Sequence, residues 1–262
     1  MRYLEDYYNR YNEEERLLSR HGQVEYLTTM KYIRECLAQL SDPTILEVGA
    51  GTGRYSVTLS KQGYRVTAVE LISRNLELLK SKLDGSEPIT AMQGNALDLS
   101  GLQDASFSLT MLLGPMYHLY TQEDKLKALS EAVRVTKPGG FILVAYCMND
   151  YAIVKHGFME GTIKEAFTDN KVDINYNVMS TDDDLYDYVS IDEIDALARE
   201  SGLIRKKIVT PDGPANYIRH ILRDMDEESF ELFVRYVETI AERKDMIGAA
   251  AHTVDILQKP ID

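Results

Sequence analysis

The chain has 262 residues and a formal net charge of −13, from 29 basic and 42 acidic side chains. Its 44% hydrophobic and 27% charged content are those of an ordinary globular protein, which excludes whole-chain disorder, a collagen helix and a coiled-coil array. A sequence pI near 4.9 argues against a protein that grips nucleic acid by neutralising its phosphates. Cys36 and Cys147 lie far apart without CxxC spacing, so they read as buried thiols in a reducing compartment, not as a disulfide or a zinc site. The first residues lack a basic start followed by an apolar stretch, and no apolar run approaches the ~18 residues of a membrane span. The expectation is a soluble cytoplasmic protein with no membrane partner and an oligomeric state that the sequence leaves open.

Up to residue 40 the chain reads as helix, with Val24, Leu27, Met30, Ile33, Leu37 and Leu40 recurring at spacings of three and four until Asp42-Pro43 ends it. Ahead of them, Tyr3, Tyr7, Tyr8 and Tyr11 sit in a segment too polar for a core strand. A short β-branched run over 44–48 predicts a strand that stops at a glycine cluster. Next come a helix over 54–62 closed by Gly63, a strand over 64–69 ending at Glu70, and an amphipathic helix over 73–83 with Ser73 as its N-cap. Strands follow over 89–92 and 107–113, then a helix over 121–135 capped by Thr121. Lys137-Pro138-Gly139-Gly140 reads as a turn before a fifth strand over 141–147. Short apolar strands alternating with helices over about 105 residues indicate a parallel sheet covered on both faces.

The rhythm breaks over 149–189, which holds the acidic run Asp182-Asp183-Asp184. Ser190 to Glu193 fits a capping box that opens a helix ending at Gly202. A strand over 203–210 follows, then a helix over 226–244 with Phe230, Phe233, Val237 and Ile240 on one face, and a last strand over 252–258.

The informative segment is Ile45-Leu46-Glu47-Val48-Gly49-Ala50-Gly51-Thr52-Gly53, placed after the first strand and opening the first helix of the alternating region. Glycines there remove the Cβ atoms that would block close approach of backbone to a ligand, and ligands of open α/β sheets bind at the carboxyl ends of strands. A dinucleotide loop runs G-x-G-x-x-G, but here the spacing is G-x-G-x-G, and Arg54 stands where the third dinucleotide glycine belongs. Glu70 ends the second strand, where a carboxylate can accept hydrogen bonds from both hydroxyls of a ribose.

These residues resemble the class I S-adenosylmethionine-dependent methyltransferases, strongly over about residues 20–147 and more loosely beyond. ILEVGAGTGRYS is similar to the family's E/D-x-G-x-G-x-G loop, Glu70 to its ribose-binding acid, and Gln93-Gly94-Asn95-Ala96-Leu97 to the loop that lines the adenine. Family members commonly carry Asp where Asn95 stands, and an Asn contact loses the charge assistance. Gly114-Pro115-Met116-Tyr117-His118-Leu119 resembles the GPxYHL segment of a small-molecule branch, and the D/N-P-P-Y motif of DNA amine methyltransferases is absent.

The resemblance implies a Rossmann-like, doubly wound α/β fold with a seven-stranded sheet whose last strand is antiparallel. It implies S-adenosyl-L-methionine as cofactor, S-adenosyl-L-homocysteine as product, a small-molecule acceptor and no nucleic acid. The implied cofactor residues are Glu47, Gly49, Ala50, Gly51, Thr52, Gly53, Glu70, Leu71, Asn95, Ala96, Leu112 and Leu113. The chain then divides into an N-terminal helical lid (1–40), a cofactor-binding core (41–148), an insertion forming a substrate lid (149–189) and a segment completing the sheet (190–262).

Methyl transfer is an in-line displacement, so the protein's task is to position the partners and control protonation. His118 follows the fourth strand closely and reads either as the base or as a helix-start histidine bonded to backbone; Tyr117 beside it would orient an acceptor. His21, Tyr8 and Tyr11 are the candidates for a lid over the substrate, or else an exposed cap and an amphipathic edge. His156, His220 and His252 read as structural, and no metal-ligand spacing appears. Two rivals remain: a module that binds S-adenosylmethionine without turnover, and an NAD-dependent oxidoreductase, which Arg54 opposes. Residues 149–200 hold 13 acidic and 4 basic side chains, leaving only −4 of the −13 for the rest of the chain. That acidity is either a solvated face or a lid whose field favours a cationic or amine acceptor.

Overall fold

Each strand is a short run of β-branched and aliphatic residues, and pairing those runs decides where everything else sits. The computed structural model describes residues 7–8 and 18–261. After helix α1 (Arg20–Leu37) come β1 (Thr44–Val48), α2 (Arg54–Lys61), β2 (Arg65–Glu70), α3 (Ser73–Ser81), β3 (Ile89–Gln93), β4 (Phe107–Leu112), α4 (Gln122–Val135) and β5 (Thr136–Cys147). The chain continues through α5 (Asn149–Ala152), a π-helical turn (Ile153–Met159), α6 (Ile163–Thr168), α7 (Ile191–Glu200), β6 (Ile204–Val209), α8 (Arg219–Asp224), α9 (Glu227–Ile240), α10 (Lys244–Ile247) and β7 (His252–Gln258).

The seven strands form one sheet in the order β3-β2-β1-β4-β5-β7-β6. All pairings from β3 to β5 are parallel, and β7 runs antiparallel to both its neighbours. The Rossmann-like sheet implied by the sequence is therefore present. The chain leaves β1 toward β2 and β3, then returns to place β4 on β1's other side. The carboxyl ends of β1 and β4 thus flank the switch point where open sheets bind ligands.

Alternation along β1 sends Leu46 and Val48 into one core and Ile45 into the other. On the first face Ile142 and Val144 pack with Ala128, Leu129 and Ala132 of α4 and with Ile194 and Leu197 of α7. On the second, Leu109, Met111 and Ile256 pack with Met30, Ile33 and Leu37 of α1 and Leu59 of α2. An ion pair reaches into the interior: Asp255 of β7 is fully buried, and Arg205 of β6 donates to both its oxygens (Nε and Nη2, each 2.7 Å). Arg205 also meets Asp195 of α7 nearer the surface.

Some boundaries differ from those read in the sequence. Ser73 does not cap α3. Ile72 holds that position without a side-chain bond, while the Ser73 hydroxyl accepts from Gln93 Nε2 (3.0 Å). Lys137-Pro138-Gly139-Gly140 is not a turn before β5 but its first part, because Thr136 pairs with Phe107, and Gly139 and Gly140 exchange backbone bonds with Lys259 (3.0 and 2.9 Å). The long helix over 226–244 stops at Ile240, and α8 had no clear periodic signal.

The caps on Thr121 and Ser190 form as the sequence indicates. At Ser190 the box is reciprocal, since its hydroxyl accepts from Glu193 N and the Glu193 carboxylate accepts from Ser190 N (2.8 Å). Ser190→Ala is expected to cost about 1 kcal/mol, read as a lowered urea midpoint with unchanged slope. An unchanged midpoint would mean that α7 owes nothing to the cap.

Candidate active site

β1 ends at Val48, and the backbone of the next five residues turns back over the sheet edge. Gly49 and Ala50 donate to the Val69 carbonyl of β2 (2.8 and 3.0 Å), tying the loop to the neighbouring strand. Gly49 has φ +73°, and a Cβ there would lie 2.9 Å from the Pro115 ring. Gly51 has φ +54°, and a Cβ built there meets nothing within 4 Å, because the residue opens on a cavity. Glu70, at the end of β2 and 4% exposed, accepts from Gly51 N (2.7 Å) and Ile72 N (2.9 Å). Glu47 is buried beneath the loop and accepts from the backbone N–H and hydroxyl of Ser56. Burial pushes its carboxyl up to about 8, against the Ser56 bonds that favour the charged form.

The cavity is about 290 Å³. Its wall takes residues from the strand ends across the sheet: Asn95, Ala96 and Leu97 after β3, Glu70 and Leu71 at β2, Gly49 to Thr52 after β1, and Leu113 to Pro115 after β4. On the far side stand Ala145 of β5, Pro211 after β6, His252 and Val254 of β7, and Glu25 and Thr29 of α1. Tyr8, Tyr117, His118, Tyr120, Asp124 and Asp182 also line it.

His118 is held at both nitrogens. Nδ1 lies 2.9 Å from the Leu185 carbonyl, which only accepts, so Nδ1 carries the proton. Nε2 then accepts from the Tyr8 hydroxyl (3.0 Å). Rings of Tyr117, Tyr186 and Tyr8 pack around it at centroid distances of 4.9, 5.5 and 5.7 Å. Burial lowers its pKa to about 4, the Leu185 bond opposing this only partly. The insertion is tied to this cluster by Asp187, whose N–H donates to the Tyr117 carbonyl (2.8 Å) and whose carboxylate pairs with Lys125 (2.6 Å).

His118 is expected to stay neutral from pH 8 down to about 5. Its folded pKa lies below the ~6.5 of an unfolded histidine, so its linkage penalty is absent above that value and grows as pH falls toward 4. Histidine NMR titration checks this, and a midpoint near 6.5 would show the ring open to water.

The structure brings together on one wall Tyr8, Glu47, Gly49, Ala50, Gly51, Thr52, Glu70, Leu71, Asn95, Ala96, Leu113, Tyr117 and His118. It does not bring Gly53, Leu112 or His21 there. The Cβ position of Gly53 faces Leu79 of α3 at 2.5 Å, Leu112 is buried in the core, and His21 sits beside the Ser19 hydroxyl (3.1 Å) at the start of α1. Tyr11 lies outside the described residues. Sequence reasoning missed Glu25, Thr29 and His252, and it placed His252 among the structural histidines. Nothing in their spacing links α1 to β7. Among the described residues lining the cavity, the carboxyl groups are Glu25, Glu47, Glu70, Asp124 and Asp182, against the one guanidinium of Arg54, which lies over the Tyr26 ring (4.3 Å). No group of described residues has the makings of a metal site, and no described helix is long and apolar enough to cross a membrane.

Residues 46–144 match the family described as "Methyltransferase domain". The chain is 35% identical over 103 residues to a cypemycin N-terminal methyltransferase of a Streptomyces species, covering 38% of this chain and 40% of that protein. It is 28% identical over 123 residues to a demethylmenaquinone methyltransferase of Clavibacter sepedonicus, covering 47% and 49%. The solved structure of a SAM-dependent methyltransferase from Thermotoga maritima superposes with a TM-score of 0.60 at 21% identity, covering 98% of this chain and 99% of that one. The chain spans about half the length of the curated relatives it matches. The fold is the Rossmann-like fold of SAM-dependent methyltransferases. Its stretch from β1 to β5 is similar to that methyltransferase domain.

Proposed function

We propose that the protein transfers a methyl group from S-adenosyl-L-methionine to a small-molecule acceptor. The observation that carries this reading is the pairing of Glu70 with the open backbone at Gly51, on a cavity at the sheet's switch point. A nucleoside ribose has its two acceptor oxygens there, and Asn95 to Leu97 offer a wall for the base. Bound S-adenosylmethionine supplies an electrophilic methyl on sulfur, so little further activation is asked of the protein.

The remaining chemistry belongs to the chain. Gly49 to Thr52 hold the backbone close, Glu70 accepts hydrogen bonds from the ribose hydroxyls, and Glu47, largely protonated at neutral pH, braces the loop through Ser56. Tyr8, Tyr117 and His118 close the roof, exclude water and orient the acceptor. His118, with a pKa near 4 and both nitrogens engaged, is assigned to orientation, not to proton removal.

The carboxyl groups of Glu25, Asp124 and Asp182 on the wall favour an amine or cationic acceptor. Asp182→Asn is expected to raise KM for an amine acceptor several-fold at low salt with kcat little changed, and a KM that does not move removes Asp182 from recognition.

Titration calorimetry with S-adenosylhomocysteine tests the cofactor assignment directly. Binding in the micromolar range is expected. No heat at millimolar ligand, with the protein folded, would sink it. Binding without turnover across a broad acceptor panel would favour a regulatory module instead, and a nicotinamide fluorescence titration separates both from an oxidoreductase.

A further inference from the structure

His252 begins β7 and lies on the cavity wall beside Ala145 and Val254, on the side of the sheet away from Glu70 and Asn95. Its Nδ1 is 2.8 Å from Asp212 Oδ2 and 3.8 Å from Glu25 Oε2. Asp212 is fully buried and fixed from several directions: Asn216 Nδ2 donates to Oδ2 (2.6 Å), and the Thr210 hydroxyl and the His252 backbone N–H approach Oδ1 (3.4 Å each). A carboxylate held this way orients the imidazole and keeps the proton on Nδ1, so that Nε2 is the acceptor nitrogen of the neutral ring. The groups facing the ring are Glu25 from α1, Asp212 from the loop after β6 and Cys147 from β5, which pairs with His252 across the sheet and whose thiol lies within hydrogen-bond reach of the ring.

We propose that His252, oriented by Asp212 and flanked by Glu25, receives the proton that the acceptor gives up during methyl transfer. The proposal rests on the methyl-transfer reading and supplies the base that His118 does not. The acceptor's N–H or O–H bond breaks and its proton passes to Nε2 of neutral His252. The freed electron pair forms the bond to the methyl carbon, while the electrons of the breaking carbon–sulfur bond stay on sulfur. Burial alone would lower the imidazole's pKa, but Glu25, Cys147 and Asp212 outweigh it and raise the value well above 6.5. Such a ring is a stronger base than free histidine, matched to weakly acidic donors such as ammonium or phenol groups. Its neutral form grows as pH rises, so the rate should climb above neutral pH. Asp212 acts as a positioning residue.

The test is NMR of protein carrying 15N-labelled histidine, saturated with S-adenosylhomocysteine, titrated from pH 5 to 10 and then with phenethylamine as probe. The expected result is a His252 midpoint above 6.5, a neutral form protonated on Nδ1, and an Nε2 resonance that moves when the amine is added. Glu25→Gln, which keeps the side chain's size and removes its charge, should lower the midpoint by about one pH unit. With an acceptor that turns over, His252→Gln should flatten the alkaline rise in rate. A His252 that is protonated on Nε2 when neutral, or whose Nε2 ignores the amine, overturns the proposal and leaves the cofactor assignment standing. Failure of S-adenosylhomocysteine to bind overturns both.

Discussion

Glu70→Ala is expected to weaken S-adenosylhomocysteine binding by roughly a hundredfold or more. Two charge-assisted hydrogen bonds to a ribose are each worth about 1.5–3 kcal/mol, and ~1.4 kcal/mol is tenfold in affinity. The carboxylate also satisfies Gly51 N and Ile72 N, so its loss unpins the loop at the cavity mouth. Stability should fall by about 1–3 kcal/mol on that account, which denaturation measures separately. Glu70→Gln separates the effects, because an amide keeps one acceptor oxygen but presents N–H groups to a donor. Its affinity should lie between wild type and alanine. Wild-type affinity in the alanine variant, measured by calorimetry on folded protein, would remove Glu70 from the site.

Arg205→Met should destabilise the protein by about 3–5 kcal/mol, the range for stranding one partner of a buried ion pair. Asp255 is fully buried and both its oxygens depend on Arg205, whereas Asp195, at the other end of the guanidinium, is 44% exposed and can turn to water. Burial already raises the Asp255 carboxyl despite the arginine. Without Arg205 it rises further, so the folded chain holds a proton that the unfolded chain releases near pH 4. Stability is then fully present below that pH and is lost as pH rises. The deficit should therefore shrink as urea melts are taken from pH 8 toward pH 5. A constant deficit would mean that the methionine simply packs badly. Asp255→Leu in the same chain should recover much of the loss.

How much of this could be read in the residues depends on range. β1 and β7 fall where their apolar runs lie, because proline, glycine or alanine-rich breaks bound them. The loop from Gly49 to Thr52, Glu70 and Asn95 was legible because each lies at or just past the end of a strand, and a strand's end is a local fact. β5 was misjudged by five residues, since the partners of Gly139 and Gly140 come from Lys259, more than a hundred residues on. Gly53 is placed by Leu79, and its contact belongs to packing under α3, not to the cavity wall. The grouping of Glu25, Asp212 and His252 arises where α1, the loop after β6 and β7 converge. No period or spacing along the chain encodes it.

β7 comes last in chain order among the described strands, yet it lies between β5 and β6. Until it arrives, β6 has no neighbour in the sheet and β5 keeps an open edge. Joining β5 to β7 closes a chain segment of roughly a hundred residues, so its entropic cost falls late in assembly. The unpaired edges are exposed to other chains in that interval. Because His252 opens β7, the side of the cavity lined by His252 and Val254 comes into being only with that insertion. The order of folding thus couples completion of the sheet to completion of the pocket, and a partly assembled molecule holds the cofactor loop without the wall opposite.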